Sequence, residues 1–439
     1  MSDVDTRLAN RILLGLGVGV AAGGLTLLAG AAFPPLLAGA RELARLVLEP
    51  FGQVFLRLLF FVVIPLVFAS LASGVAQLER LAHLGPLALR TFTLFLLNMG
   101  IAVALGLVMM NLLEPGATLE PEAQSSLAAQ YGQQAQATLE RRADQPVTPM
   151  SVVEMFMPRN LFGAFVGNDR DRLGDALPLI VFAILVGAAA VGLQPDERER
   201  LRSGLQLVSD LMTRIVHYAL LLAPFAVPAM IYSVIVRIGW DIVVALGAFV
   251  LGCLVVMALH LFGTMSLWLR LFTRRRPREF WRALRPVLVT AFSTSSSAAT
   301  LPTALAVARA PLGLRPTVSG FVLPLGATMN MAGTALYEGC VVLFVAQIFG
   351  VGLGFGQQLT LLLLAVISAI AVAGIPGGSL PLIAGLLVAF GIPPEGIGII
   401  LGVDRLLDMA RTTVNVGADL VTAAIVDQRA NGPEPAAPG

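Results

Sequence analysis

Runs of about 20 or more mostly apolar residues recur along this chain of 439 residues, near 12–33, 54–76, 91–113, 177–193, 205–233, 241–272, 317–349 and 394–426. A helix needs about 20 such residues to cross the ~30 Å hydrocarbon core of a bilayer. The runs therefore predict an all-α integral membrane protein with eight transmembrane helices. Composition agrees: 57% of residues are hydrophobic, where soluble chains have about 45–50%. Charged residues make up 13%, about half the usual ~25%. Those figures disfavour a soluble enzyme or a disordered chain. A net charge of +2 offers no basic face for nucleic-acid phosphates.

Two further apolar stretches, about 280–308 and 356–390, are interrupted by polar tips, Ser293-Thr294-Ser295-Ser296-Ser297 and Gly374-Ile375-Pro376-Gly377-Gly378-Ser379. Lipid cannot satisfy free backbone N–H and C=O groups, so irregular backbone at membrane depth lines a protein interior or a water-filled cavity. Paired broken segments point to a transporter's binding site, and we read these two as re-entrant helical hairpins. Residues 114–176 are polar and form an extramembrane loop. Arginines cluster at 198–202 and 270–285, and the positive-inside rule puts both segments in the cytoplasm. Eight spans then leave both termini there too. The first run exceeds a signal-peptide core of roughly 7–15 residues, so it reads as a retained span, suited to a bacterial inner membrane. Cys253 and Cys340 lie inside apolar runs and read as small buried hydrophobes.

Three segments carry candidate chemistry. In the last run, Asp404, Asp408, Arg411, Asn415 and Asp419 follow at steps of four, three, four and four residues. At ~100° per residue they share one helical stripe. Intramembrane ionisable groups are costly and mark function by default, although a purely structural ion-pair ladder is the competing reading. In Pro324 to Glu338, the residues Gly326, Thr328, Asn330 and Thr334 interrupt an apolar helix with backbone oxygens and oxygen-bearing side chains. These suit a hard cation such as Na⁺; close helix packing is the alternative. Glu338 is a carboxyl in apolar surroundings, and a carboxyl that can exist protonated can carry a proton. The serine run, embedded in hydrophobic sequence, reads as a hairpin tip and not a linker.

Taken together, the serine tip followed by Ala299-Thr300-Leu301-Pro302, the Gly326-Ala-Thr-Met-Asn-Met331 segment leading to Gly333-Thr334, the Gly374-Ile-Pro-Gly377 tip and the Asp404-to-Asp419 helix resemble the dicarboxylate/amino acid:cation symporters. That family includes the excitatory glutamate transporters and archaeal aspartate transporters. The resemblance covers nearly the whole chain, with the four motifs in the family's order. It implies a homotrimer working by elevator-type alternating access. Residues 1–113 would hold helices 1–3, 177–277 helices 4–6, 278–426 the core transport domain, and 427–439 a disordered tail. Arg411 would pair with a substrate side-chain carboxylate and Asp408 with its α-ammonium. Thr412, Asn415 and Thr334, the tip serines Ser295, Ser296 and Ser297, and the gate around Ile375 and Ser379 would complete the pocket. Gly326, Asn330, Asn415 and Asp419 match the first sodium site. Thr328 and Met331, with the carbonyls of Ala369, Ile370 and Val372, match the second.

Two departures shape the expected ion coupling. Where the family usually has Asp in its third sodium site this chain has Ala332, and the partner positions read Phe95, Asn98 and Met99. Glu338 matches the family's proton-carrying glutamate. The resemblance thus implies symport of glutamate or aspartate with fewer than three sodium ions and a proton. Asp408 favours an acidic amino acid over a C4-dicarboxylate. An unpaired Arg411 would be costly in a pocket for a neutral amino acid. A serine hydrolase needs a base near its nucleophile, and His83, His217 and His260 all lie outside the motif-bearing segments. The gating hairpins favour a carrier over a passive channel.

Overall fold

The structure, a computed structural model, describes residues 3–61, 63–76, 86–118, 157, 159–166, 176–372 and 379–429. Among these residues it is all-helical, with no strand. Four helical stretches are long and apolar enough to cross a membrane unaided: Leu14–Ala32, Pro86–Ala117, Asp241–Phe272 and Pro316–Ile348. They differ in where their apolar side chains go. The Pro316–Ile348 window is 94% buried inside the protein, against 28–39% for the other three. It is therefore a central element, while the others turn residues such as Leu25, Leu28, Leu251 and Leu267 outward. An apolar exterior of that extent suits a lipid solvent.

Of the remaining expected spans, 394–426 falls almost wholly within the single helix Ile397–Arg429 and 177–193 corresponds to the helix Ala176–Ala190, whereas 54–76 and 205–233 are divided among shorter helices, and there the structure departs from the sequence reading. The run at 54–76 is preceded by helix Pro34–Leu43, a π-turn Ala44–Leu48 and helix Glu49–Phe60 before Val63–Ala76 begins. Charges at 41–49 dilute the hydropathy of this region, but they are neutralised locally. Arg45 pairs with Glu42 at 2.7 Å, Arg237 pairs with Glu49, and Arg41 donates to the Val236 carbonyl at 2.9 Å. The run at 205–233 is likewise two helices, Pro195–Leu220 and Ala223–Ile238. The second opens with Pro224 in its first turn, a position where proline's missing N–H costs nothing. Arg198, Arg200 and Arg202, read from sequence as a loop, are helical. Most of 114–176 and all of 430–439 lie outside the described residues, apart from the 3₁₀ turn Pro115–Thr118 and the short helix Leu161–Val166.

Both interrupted stretches are helix–break–helix units. Pro277–Thr294 is followed by Ser297–Arg309, and the two helices pack against each other and against the last helix, Ile397–Arg429. Phe355–Ala371 is followed by Leu380–Ala389. The run at 317–349 is also broken, into Pro316–Met329 and Ala332–Ile348. One apolar cluster joins the serine-tip hairpin, Pro316–Met329 and the second half of the last helix through residues such as Leu284, Ala304, Val322 and Leu420. These elements surround the polar stripe of the last helix with tightly packed walls.

Candidate functional site

Each break positions backbone donors. At the serine tip the chain turns because Ser295 adopts a left-handed conformation, φ 49°, which costs a non-glycine residue on the order of 1–2 kcal/mol. Ser296 then caps the next helix, its hydroxyl accepting from the Ala299 N–H at 3.2 Å. At the central break, Asn330 and Met331 leave helical geometry and Ala332 starts a new helix. Its first free N–H groups are taken by the last helix: Asn415 Oδ1 accepts from Gly333 N at 2.7 Å and Thr334 N at 3.3 Å. Gly333 is required there, since a Cβ would strike the Arg411 carbonyl oxygen. Ser379 stands at the start of Leu380–Ala389. Three helix N-termini thus converge, and their dipoles favour an anionic group.

Between them lies a small pocket lined by Ser295, Ser297, Met331, Thr334, Val372, Ser379, Asp408, Arg411, Thr412 and Asn415. The residues come from four separate segments that the sequence spaces up to 120 positions apart. The Ser295 and Ser379 hydroxyls have no hydrogen-bond partner among the described residues. Thr412 donates to the Asp408 carbonyl at 2.8 Å, which leaves its methyl face for packing.

The charged part of the stripe is self-paired. Arg411 donates to Asp408 Oδ1 through Nε and Nη2, each at 2.8 Å, and to Asp404 Oδ1 at 3.4 Å. Arg405 reaches Asp408 Oδ2 at 3.3 Å. The Tyr337 hydroxyl donates to Asp404 at 2.9 Å, and the Arg411 guanidinium lies 4.8 Å from the centre of the Tyr337 ring. Two carboxylates and two guanidiniums therefore balance. All four residues are buried, and removing one member of such a group typically costs about 3–5 kcal/mol.

About two turns beyond Arg411, the arrangement changes. Asp419 is 3% exposed, and its carboxylate accepts from the Asn330 amide at 2.8 Å. No cationic side chain pairs with it among the described residues. Gly326 presses against that carboxylate so closely that any side chain would collide with it. The backbone oxygens at the break, the Asn415 side chain and a carboxylate lacking a counter-charge are of the oxygen type that suits a hard cation. Asn415 further donates to Thr334 Oγ1 at 3.2 Å and to Met331 Sδ at 3.3 Å, so it ties the last helix to the central break.

The other expected site residues are distributed as follows. Ser296 caps a helix and does not line the pocket. Thr328 is exposed and its hydroxyl donates to the Leu325 carbonyl at 2.9 Å. Ala369 and Ile370 end helix Phe355–Ala371, just before the pocket-lining Val372. Ile375 lies outside the described residues. Glu338 is fully buried, beside Ser368. The sequence reading missed His260, which joins Asn98 and Asn330 in a buried hydrogen-bond chain. A lone histidine on an apolar helix carries no spacing signal, and only the packing of distant helices discloses it.

The pattern of the sodium:dicarboxylate symporter family matches residues 8–429. The chain belongs to the sodium:dicarboxylate symporter family. Relatives agree along most of their length. A proton/sodium-glutamate symport protein of Bacillus subtilis (strain 168) is 32% identical over 392 residues, 87% of this chain and 86% of the relative. A proton/glutamate-aspartate symporter of Escherichia coli (strain K12) is 30% identical over 382 residues, 86% of this chain and 84% of the relative. The neutral amino acid transporter B(0) of Oryctolagus cuniculus is 33% identical over 419 residues, 89% of this chain and 76% of the relative. As a member of this symporter family with several apolar helices, the chain is a multi-pass membrane protein, and its family consists of transporters.

Proposed function

We propose that this symporter imports an acidic amino acid, L-glutamate or L-aspartate, together with sodium ions and a proton. The observation that carries the reading is Arg411: a buried guanidinium with a planar two-donor fork, lining a pocket walled by three helix N-termini. Such a fork matches a carboxylate in geometry and charge. Asp408, now paired with Arg411, is the group that receives the substrate's ammonium, so the substrate exchanges its own ion pairs for the internal one. The named activities of the Bacillus subtilis and Escherichia coli relatives support glutamate and aspartate. A neutral amino acid is the second reading, favoured by the rabbit relative, but it offers Arg411 no carboxylate in exchange for Asp408 and leaves it the 3.4 Å contact to Asp404.

Sodium binds first at Asp419, Asn415 and the backbone of Gly326 and Asn330, then at a second seat formed by Thr328, Met331 and the carbonyls of Ala369, Ile370 and Val372 as the second hairpin closes. Glu338 carries the proton. Ala332 provides no anionic ligand for a third sodium. Eight spanning helices and two re-entrant hairpins, an elevator movement of residues 278–426, a trimeric assembly and cytoplasmic termini in an inner membrane complete the reading, on the family resemblance. The test is uptake of radiolabelled L-glutamate and L-aspartate into proteoliposomes under sodium and proton gradients, imposed singly and together. Stimulation by both gradients is expected, with the proton component abolished in Glu338→Gln. Uptake indifferent to the proton gradient, or transport of succinate in place of amino acids, would overturn it.

A further inference from the structure

A chain of four buried side chains runs across the protein into the proposed cation seat. His260 Nε2 lies 3.0 Å from Asn98 Oδ1, Asn98 Nδ2 donates to Asn330 Oδ1 at 2.9 Å, and Asn330 Nδ2 donates to Asp419 Oδ1 at 2.8 Å. The four come from different places: the helix Leu259–Thr264 with π geometry, helix Pro86–Leu113, the break before Ala332, and the last helix. His260, Asn98 and Asn330 are wholly inaccessible to solvent. The His260 Nδ1 has no hydrogen-bond partner among the described residues, so the ring's polar contact is the one to Asn98. A π-turn re-aims side chains and recurs at functional sites, and here it carries the histidine.

The direction of the chain follows from which atoms face one another. A carboxylate accepts only, so Asn330 must turn its N–H₂ toward Asp419 and its oxygen toward Asn98. Asn98 must then present its own N–H₂, which leaves its oxygen facing His260. His260 must therefore hold its proton on Nε2. Every donor points toward Asp419, and aligned hydrogen bonds of this kind polarise one another.

We propose that Asn98 and His260 are positioning residues for sodium binding: they hold the Asn330 amide with its N–H on Asp419, so that the carboxylate and the Asn330 backbone keep the geometry that receives the cation. The proposal rests on the cation-coupled reading of Asp419 above. It also assigns a job to an amide at Asn98, one of the positions where the family resemblance has lost its third-site ligands. A fixed amide donor, backed by an imidazole, here does the orienting.

The test titrates sodium, with choline as replacement and no amino acid present, against the melting temperature of the purified full-length protein and its Asn98→Leu, His260→Leu and His260→Gln variants. Glutamine reaches the same acceptor with an amide N–H, whereas leucine cannot. The sodium concentration for half-maximal stabilisation is expected to rise about tenfold or more in both leucine variants, the scale of one lost hydrogen bond in a charged network. In His260→Gln it should stay within about threefold of the unaltered protein, since that bond is retained. The KM for amino acid at saturating sodium is expected to move far less than the sodium response. Leucine variants that respond to sodium at the unaltered concentration would overturn the proposal, as would a glutamine variant as impaired as the leucine one. If a leucine variant gives no cooperative melt, Asn98→Ser and His260→Ala make the same comparison without added bulk. An unaltered protein blind to sodium would instead overturn the cation reading itself, and this proposal with it.

Discussion

The two halves of the polar stripe on the last helix solve the same problem in opposite ways. Around Asp404, Arg405, Asp408 and Arg411, buried charges cancel one another within a single helix. Around Asp419, a carboxylate just as buried is met by the Asn330 amide and by no cation among the described residues. A balanced cluster can open only to a ligand that replaces both partners, and an amino acid with a side-chain carboxylate does so. An unbalanced carboxylate invites a cation to complete it, because a buried charge without compensation is expensive. On the reading proposed above, one half serves the substrate and the other a coupling ion, and Asn415 lies between them on the same stripe, bonded to Thr334 and Met331.

The division can be broken residue by residue. The largest effect belongs to Arg411→Gln, which removes the carboxylate's partner and leaves Asp408 and Asp404 facing each other. Uptake of acidic amino acids at fixed sodium should fall by roughly 100-fold or more, as expected for two charge-assisted hydrogen bonds at ~1.5–3 kcal/mol each. Asp419→Asn comes next. The sodium concentration for half-maximal uptake should rise by about 30-fold, on the scale of one ionic contact, while the ranking of glutamate, aspartate and serine as substrates stays the same. Gly326→Ala sharpens the same point sterically, because its Cβ collides with the Asp419 carboxylate. An increase of about tenfold in half-saturating sodium is expected, equivalent to the ~1.4 kcal/mol of a small forced displacement. The mildest is Arg405→Gln, which strips Asp408 Oδ2 of the Arg405 guanidinium while Arg411 keeps its hold on Oδ1. Competition assays should show glutamate losing roughly three- to tenfold in affinity while a neutral amino acid loses less, about the ~1 kcal/mol of one hydrogen bond, since the 3.3 Å contact of Arg405 is longer than the 2.8 Å contacts of Arg411.

Much of this was legible before any coordinates. The stripe from Asp404 to Asp419 reads directly from its spacing, because a helix brings residues three and four apart onto one face. The serine tip was visible as polar sequence inside an apolar run, and the structure turns the chain there at Ser295. The oxygen-rich interruption near Asn330 was equally plain, although it separates two helices where the hydropathy drew one. What stayed hidden depends on contacts between distant helices. Nothing in the neighbourhood of His260 marks it, and its 162-residue separation from Asn98 closes to 3.0 Å only through packing. The helix Pro34–Leu43 and the start of Glu49–Phe60 escape the hydropathy for the related reason that it counts Arg41, Arg45 and Glu49 as charges, whereas the fold pairs them.

The most direct test of the division is sodium-induced thermal stabilisation of Arg411→Gln and Asp419→Asn, measured side by side with no amino acid present. The account predicts that Arg411→Gln is stabilised at the same sodium concentration as the unaltered protein and that Asp419→Asn needs about 30-fold more. A comparable rise in both variants, or an unshifted sodium response in Asp419→Asn, would contradict a stripe split between substrate and cation.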